Sequence, residues 1–144
     1  WKYGIKSQMI WYKKNVKKDD LHNLFYIGSK LIGYTLLRKR SYKFNFSAKQ
    51  KKYLLFDALV LDKKFRRKNL SNLLMFFNNS IIEQSGLFAF LMCKKKLINF
   101  YKKSGWTNLK KGQIQVIGHN FTIYAMTYNK SFLNKRRIIF FIEK

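Results

Sequence analysis

Two segments constrain this chain more than any others: YLLFDALVL, from Tyr53 to Leu61, and LFAFLM, from Leu87 to Met92. Each is apolar nearly throughout. A strand covered on one face alternates apolar and polar residues, so a strand apolar on both faces belongs inside a sheet covered on both sides. Between them Leu70, Leu73, Leu74, Phe77 and Ile81 recur at helical spacing over residues 67–85, and Gly86 is placed as a C-terminal cap. Strand, helix, strand in this order is a βαβ unit, which makes the two strands a parallel pair.

The flanking sequence adds antiparallel material. Residues 5–18 carry Ile5, Met9, Ile10 and Val16 and read as a weakly amphipathic helix. Leu24 to Ile27 and Leu31 to Leu37 read as a hairpin turning at Gly28-Ser29-Lys30. Residues 38–52 read as a basic, aromatic-containing connection. After the βαβ unit, Lys94 to Ser104 predicts a second helix capped by Gly105. Gln113 to Ile117 and Phe121 to Tyr128 predict another hairpin, turning at Gly118-His119-Asn120. The basic tail, 129–144, fits an edge strand or a short helix. The expected fold class is α/β with a mixed sheet, a single domain over residues 1–144.

Composition narrows the function classes. Lys and Arg number 31 against 6 Asp and Glu, a net charge of +25, which attracts anions: nucleotide cofactors, nucleic acid, an acidic carrier protein or anionic sugars and lipids. At 18% aromatic residues the chain is no disordered basic tail. Cys93 is the single cysteine, which excludes an internal disulfide and suits a reducing, cytoplasmic setting. No apolar run approaches the ~18 residues that span a bilayer, and no signal peptide is visible. The sequence begins at Trp1 rather than Met, so upstream residues are expected. His22 and His119 with one cysteine give no zinc-ligand spacing, so no metal is expected. There is no glycine-rich dinucleotide fingerprint and no P-loop.

Three places can carry chemistry. The junction LDKKFRRKNLSNLL, from Leu61 to Leu74, joins a buried strand to a helix start, where free amides and the positive end of the helix dipole meet. Lys63, Lys64, Arg66, Arg67 and Lys68 add charge there. A polar exposed loop reads equally well. Asp57 stands mid-strand in an apolar run. A buried carboxylate is either paired or shifted toward a useful base. Tyr101 lies on the apolar side of the second helix; a core tyrosine and a proton donor are both open readings. Cys93, with no histidine near it, reads as structural. The basic-aromatic stretch from Arg38 to Lys52 has the composition of a nucleic-acid contact, without any recognition signature.

LVLDKKFRRKNLSNLLM, Leu59 to Met75, resembles the acyl-CoA-binding motif of the GNAT N-acetyltransferases, in which a central strand leads through Arg/Gln-x-x-Gly-x-Gly/Ala into a helix. Arg66 takes the leading position, and Asn69 and Ser71 stand where glycines or small residues are usual. FYKKSGW, Phe100 to Trp106, resembles the second signature, Phe-Tyr-x-x-x-Gly-Phe/Trp. The motifs lie 35 residues apart from Arg66 to Tyr101. A finer likeness points to the aminoglycoside 2′-N-acetyltransferases and the nodulation acyltransferase NodA.

The resemblance implies a GNAT fold, with splayed central parallel strands and flanking helices, and an acetyl-CoA or other acyl-CoA co-substrate. Backbone groups of Leu59, Val60 and Leu61 would pair with the pantetheine arm and polarise the thioester. Amides from Arg66 through Arg67, Lys68, Asn69 and Leu70 to Ser71 would hold the pyrophosphate. Lys94 stands where many members carry an asparagine. Asp57 would take a proton from the acceptor amine, and Tyr101 would protonate the departing thiolate. The acceptor is a small-molecule or macromolecular amine, with a polycation disfavoured by charge. An acidic acyl carrier protein is an alternative donor, and a homodimer is compatible. The second reading is a GNAT-like module without activity that holds nucleic acid.

Overall fold

The computed structural model describes residues 4–66, 68–118, 124–129 and 137–142. Helix α1 (Ile5–Asn15) leads into strands β1 (Leu21–Ile27), β2 (Lys30–Phe44) and β3 (Lys51–Leu61). A 3-10 turn at Lys63–Phe65 precedes helix α2 (Leu70–Gln84) and strand β4 (Ala89–Cys93). A second 3-10 turn precedes helix α3 (Ile98–Lys103), and the short β5 (Thr107–Asn108) follows. Strands β6 (Ile114–Ile117), β7 (Tyr124–Tyr128) and β8 (Ile138–Phe141) complete the order. They form one mixed sheet in the order β5-β7-β4-β3-β2-β8-β6, with β1 also paired to β2.

The central pair is parallel, as the βαβ reading requires, with Leu54 opposite Ala89 and Leu55 opposite Phe90. Its two apolar faces feed two cores. Leu54 and Phe56 face Met75, Ile82, Tyr101 and Trp106 under the helices. Tyr53 and Leu55 face Phe140, Ile138 and Val116, because β8 and β6 curl over the other side. Phe90 stacks on Phe140 with centroids 4.0 Å apart. Each large apolar side chain buried this way contributes ~1.5–3 kcal/mol.

Several expectations are corrected. The segment from Arg38 to Phe44 is not a connection but the second half of β2, with Arg38, Arg40 and Tyr42 buried. Its inward arginines are paired with carboxylates, so inward charge does not break the strand. Helix α1 ends at Asn15 and buries none of its residues. Helices α2 and α3 begin at Leu70 and Ile98, each after a 3-10 turn. The expected second hairpin does not pair with itself: β6 runs parallel to β8, while β7 joins β4 antiparallel. The part of its turn from His119 on lies outside the described residues. The tail contributes β8, antiparallel to the far end of β2. Gly105 does cap α3, at φ 83, and a Cβ there would meet the Tyr128 ring at 3.1 Å.

Candidate active site

The site begins with a register error in the sheet. Leu37 pairs with Phe56 and Leu36 pairs with Ala58, so Asp57 is an extra residue on β3. Such a bulge bends its strand and strengthens the local twist. β3 and β4 pair only at Leu54–Ala89 and Leu55–Phe90, and then part. Past this point the β4 side of β3 has no strand partner among the described residues. Asp57 as a whole residue is exposed, and its side chain is 25% exposed. The apolar run predicts a buried acid; the bulge instead leaves Asp57 part-exposed, next to where β3 parts from β4.

The Asp57 carboxylate accepts a 2.7 Å hydrogen bond from Arg38 Nη1. Arg38 is itself buried. Its Nη2 donates to the main-chain oxygens of Asn15 at 2.9 Å and Ile142 at 3.1 Å. Its Nε has no hydrogen-bond partner among the described residues and lies 3.9 Å from Asp20. Asp20 is held by Arg40 Nη1 at 2.8 Å and Nη2 at 3.0 Å, and by the amides of Lys17 and Lys39. Burial works to raise the Asp20 pKa, but the Arg40 hydrogen bond and charge, with the two amides, outweigh it and hold the group below its ordinary value.

Tyr101 lies beside the same opening. Its ring stands perpendicular to Phe56, the residue before the bulge, with centroids 6.4 Å apart, and it also meets Trp106. Asp57 and Tyr101 therefore lie on opposite faces of β3. Burial, with a smaller contribution from Cys93, pushes the Tyr101 phenol up to about 12, so it stays protonated at neutral pH. Its hydroxyl makes no hydrogen bond among the described residues. Cys93, at the end of β4, is buried, its thiol pKa raised by burial, and its Sγ contacts Met126.

At the far end of β3, Arg66 Nε donates to the Leu61 carbonyl at 3.0 Å, which ties the loop to the strand end. Leu59 and Val60 are half-buried and Leu61 is buried. Asn69 then adopts φ 58, ψ 0 immediately before α2. This left-handed conformation is the one glycine takes freely, and asparagine is among the residues that tolerate it best. The first amides of α2, at Leu70 and Ser71, have no intrahelical acceptor. Lys68 and Lys30 sit over the Phe65 ring at 5.7 and 5.2 Å. Lys94 is exposed just beyond β4. Arg67 lies outside the described residues. No cluster that could hold a metal is found among the described residues.

One group escaped the sequence reading. His22 Nδ1 lies 2.9 Å from the Tyr34 hydroxyl, and the Tyr12 ring lies 5.6 Å from His22. Tyr34 is raised to about 12 by burial, with the charges of Tyr12, Asp57 and Asp20 adding to it. Trp11 covers the Arg38 guanidinium at 5.4 Å. These residues lie on the Arg38 side of the sheet. Dismissing His22 for want of zinc spacing missed a cross-strand partner that only the β1–β2 register reveals.

We found no match to any protein-family model and none to a curated protein. Solved structures do match. The Ard1 structure from Thermoplasma volcanium superposes with a TM-score of 0.58 at 15% identity, over 88% of this chain and 80% of that one. This is the GNAT fold. A putative GNAT-family acetyltransferase from Bacteroides thetaiotaomicron gives 0.59 at 15% identity, over 90% of this chain and 72% of that one. Naa20 from Chaetomium thermophilum, in complex with a bisubstrate analogue, gives 0.57 at 18% identity, over 88% and 73%. The finer likeness to the aminoglycoside and NodA branch gains no support from these matches. Among the described residues no helix is long and apolar enough to cross a membrane.

Proposed function

We propose that this chain is an acyl-CoA-dependent N-acyltransferase, moving an acetyl or other acyl group to a primary amine. The observation that carries the reading is the coincidence of an opened parallel pair with a left-handed Asn69 at the start of α2. The residues fit the donor. The main chain of Leu59 and Val60 borders the parted strands and suits the pantetheine arm and its thioester carbonyl. The Leu61 carbonyl is already taken by Arg66, so Leu61 serves the loop instead. The amides of Asn69, Leu70 and Ser71 suit the pyrophosphate, with Arg66, Arg67 and Lys68 supplying charge. Asn69 in the conformation of a glycine meets the backbone demand of a loop that lacks glycines. Lys94, at the other lip, adds a cation.

The chemistry is then balanced across the cleft. The acceptor amine attacks the thioester carbonyl. Asp57 takes the amine proton, directly or through water, and Tyr101 gives a proton to the departing sulfur. An amide and a free thiol result. Tyr34, whose phenol senses the Asp57 charge, and its partner His22 offer hydrogen-bonding groups for the acceptor side. The net charge of +25 argues against a polycation. One similar structure, a mutant of the AtaT toxin, carries acetyl-CoA, and another, PaiA from Thermoplasma acidophilum, carries coenzyme A, the thiol left after transfer. This supports transfer over a module that only binds. An acidic carrier protein as donor would use the basic surface for docking.

Calorimetry with acetyl-CoA, followed by thiol release over a panel of amines, tests the reading. Saturable binding and amine-dependent thiol release are expected; no binding at millimolar donor would overturn it.

A further inference from the structure

Away from the cleft, the loop joining β2 to β3 frames a groove of about 870 Å³. Four cations border it: Lys43, Lys49, Lys51 and Arg137. Its apolar surface is aromatic, from Phe44 and Phe46 over the buried Tyr42. A second depression of about 290 Å³ shares Tyr42 and Lys51 and adds Lys52. No carboxylate lines either one among the described residues. The groove lies at the start of β3, and Lys51 and Asp57 are roughly 20 Å apart along an extended strand at ~3.3 Å per residue. It is therefore separate from the proposed donor site.

Phe46 is the unusual member. Its side chain is wholly exposed, at 102% relative accessibility, and its φ is 68. A bulky residue in the left-handed region is an outlier, and an exposed ring gains no burial there to offset the strain. Inside the groove, Tyr42 and Phe44 already pack edge to face at 5.8 Å. Phe46 presents the most exposed aromatic surface of the groove, whose lining it shares with ammonium and guanidinium groups.

We propose that this groove binds a single-stranded nucleic acid, with a base stacked on Phe46 and phosphates on Lys49, Lys51 and Arg137. Several cations beside an exposed ring match a backbone that carries one charge per unit and a flat base beside it. A duplex keeps its bases stacked inside and offers Phe46 nothing; a simple polyanion offers charge without a ring. The two depressions share Tyr42 and Lys51, and the second adds Lys52 as a further cation. The inference stands independently of acyl transfer.

A surface at +25 binds polyanions generally, so the test compares ligands and positions. Fluorescence anisotropy on the full chain would use a single strand of ~12 nucleotides, in RNA and DNA forms. A hairpin duplex, heparin and phosphatidylglycerol vesicles serve as comparisons. Phe46→Ala should weaken single-strand binding about tenfold, the effect of losing one stacked base. Its binding to duplex and heparin should stay within about twofold of wild type. Lys49→Gln with Lys51→Gln should lower the salt slope by about 1.4, at ~0.7 per phosphate lost. Lys110→Gln with Lys111→Gln, two exposed cations outside the groove, should lower it by less than half as much. The idea fails if Phe46→Ala binds single strands like wild type, or loses all polyanions equally. It fails also if the outlying pair matters as much, or if Phe46 governs vesicle binding instead. Acetyl-CoA calorimetry on the same variants, expected unchanged, keeps this outcome apart from that of the donor site.

Discussion

Arg38 and Asp57 meet at 2.7 Å where β3 carries its extra residue. The acid proposed to take the amine proton is thus oriented by a buried guanidinium, itself anchored on the Asn15 and Ile142 carbonyls. Asp57→Asn keeps an oxygen for Arg38 but removes the base. Turnover should fall by ~10²-fold or more, with acetyl-CoA affinity retained. Thiol-release kinetics beside donor calorimetry check this, and unchanged turnover would leave Asp57 a purely structural partner.

Asp20 should govern acid stability. Its folded pKa lies below the ordinary value of 3.8, so its stabilisation is complete above that pH and is lost as pH falls through the folded value. Denaturant melts should show little change from pH 7 to 5 and a fall below about pH 4. Asp20→Asn should flatten that acid limb and destabilise the fold by ~3–5 kcal/mol at neutral pH, because Arg40 is left buried and unpaired. A variant as stable as wild type would contradict the burial of this pair.

Tyr101→Phe should lower turnover at least tenfold while leaving stability near wild type, since its hydroxyl holds no hydrogen bond among the described residues. A proton donor must be protonated, and a phenol pushed up to about 12 stays so. No alkaline loss of rate from Tyr101 is therefore expected below about pH 11. A pH–rate profile of the wild type and the variant decides it; equal rates would return Tyr101 to the core.

Asn69 offers a test of backbone shape alone. At φ 58, Asn69→Gly should bind acetyl-CoA as well as wild type or better. Asn69→Val should weaken binding and lower stability by ~1–2 kcal/mol, the penalty of a side chain forced into the left-handed region. If valine binds like asparagine, the loop does not contact the donor through its backbone.

The βαβ unit was legible because both of its strands are apolar on both faces, a pattern that leaves few alternatives. Asp57 stood out in that run for the same reason. What hid was everything that depends on pairing. Arg38 and Arg40 look like loop residues until Asp20 and Asp57 are placed against them. The bulge is invisible without the β2 register, and so is the His22–Tyr34 contact. β6 and β8 are partners despite lying apart in sequence, so reading neighbours as a hairpin failed there. The left-handed Asn69 could have been suspected from its place in the loop, since asparagine substitutes for glycine in that conformation.

The carbonyl of Ile142 receives both Arg38 and Arg40 across more than a hundred residues. On a ribosome, the acid beside the cleft cannot gain its final support until this late segment has emerged and β8 has zipped along β2. A nascent chain can build its βαβ unit early and remain chemically unaligned until then. Clipping or fusing a bulky partner near Ile142 would accordingly be felt at Asp57, through the Arg38 that both of them hold.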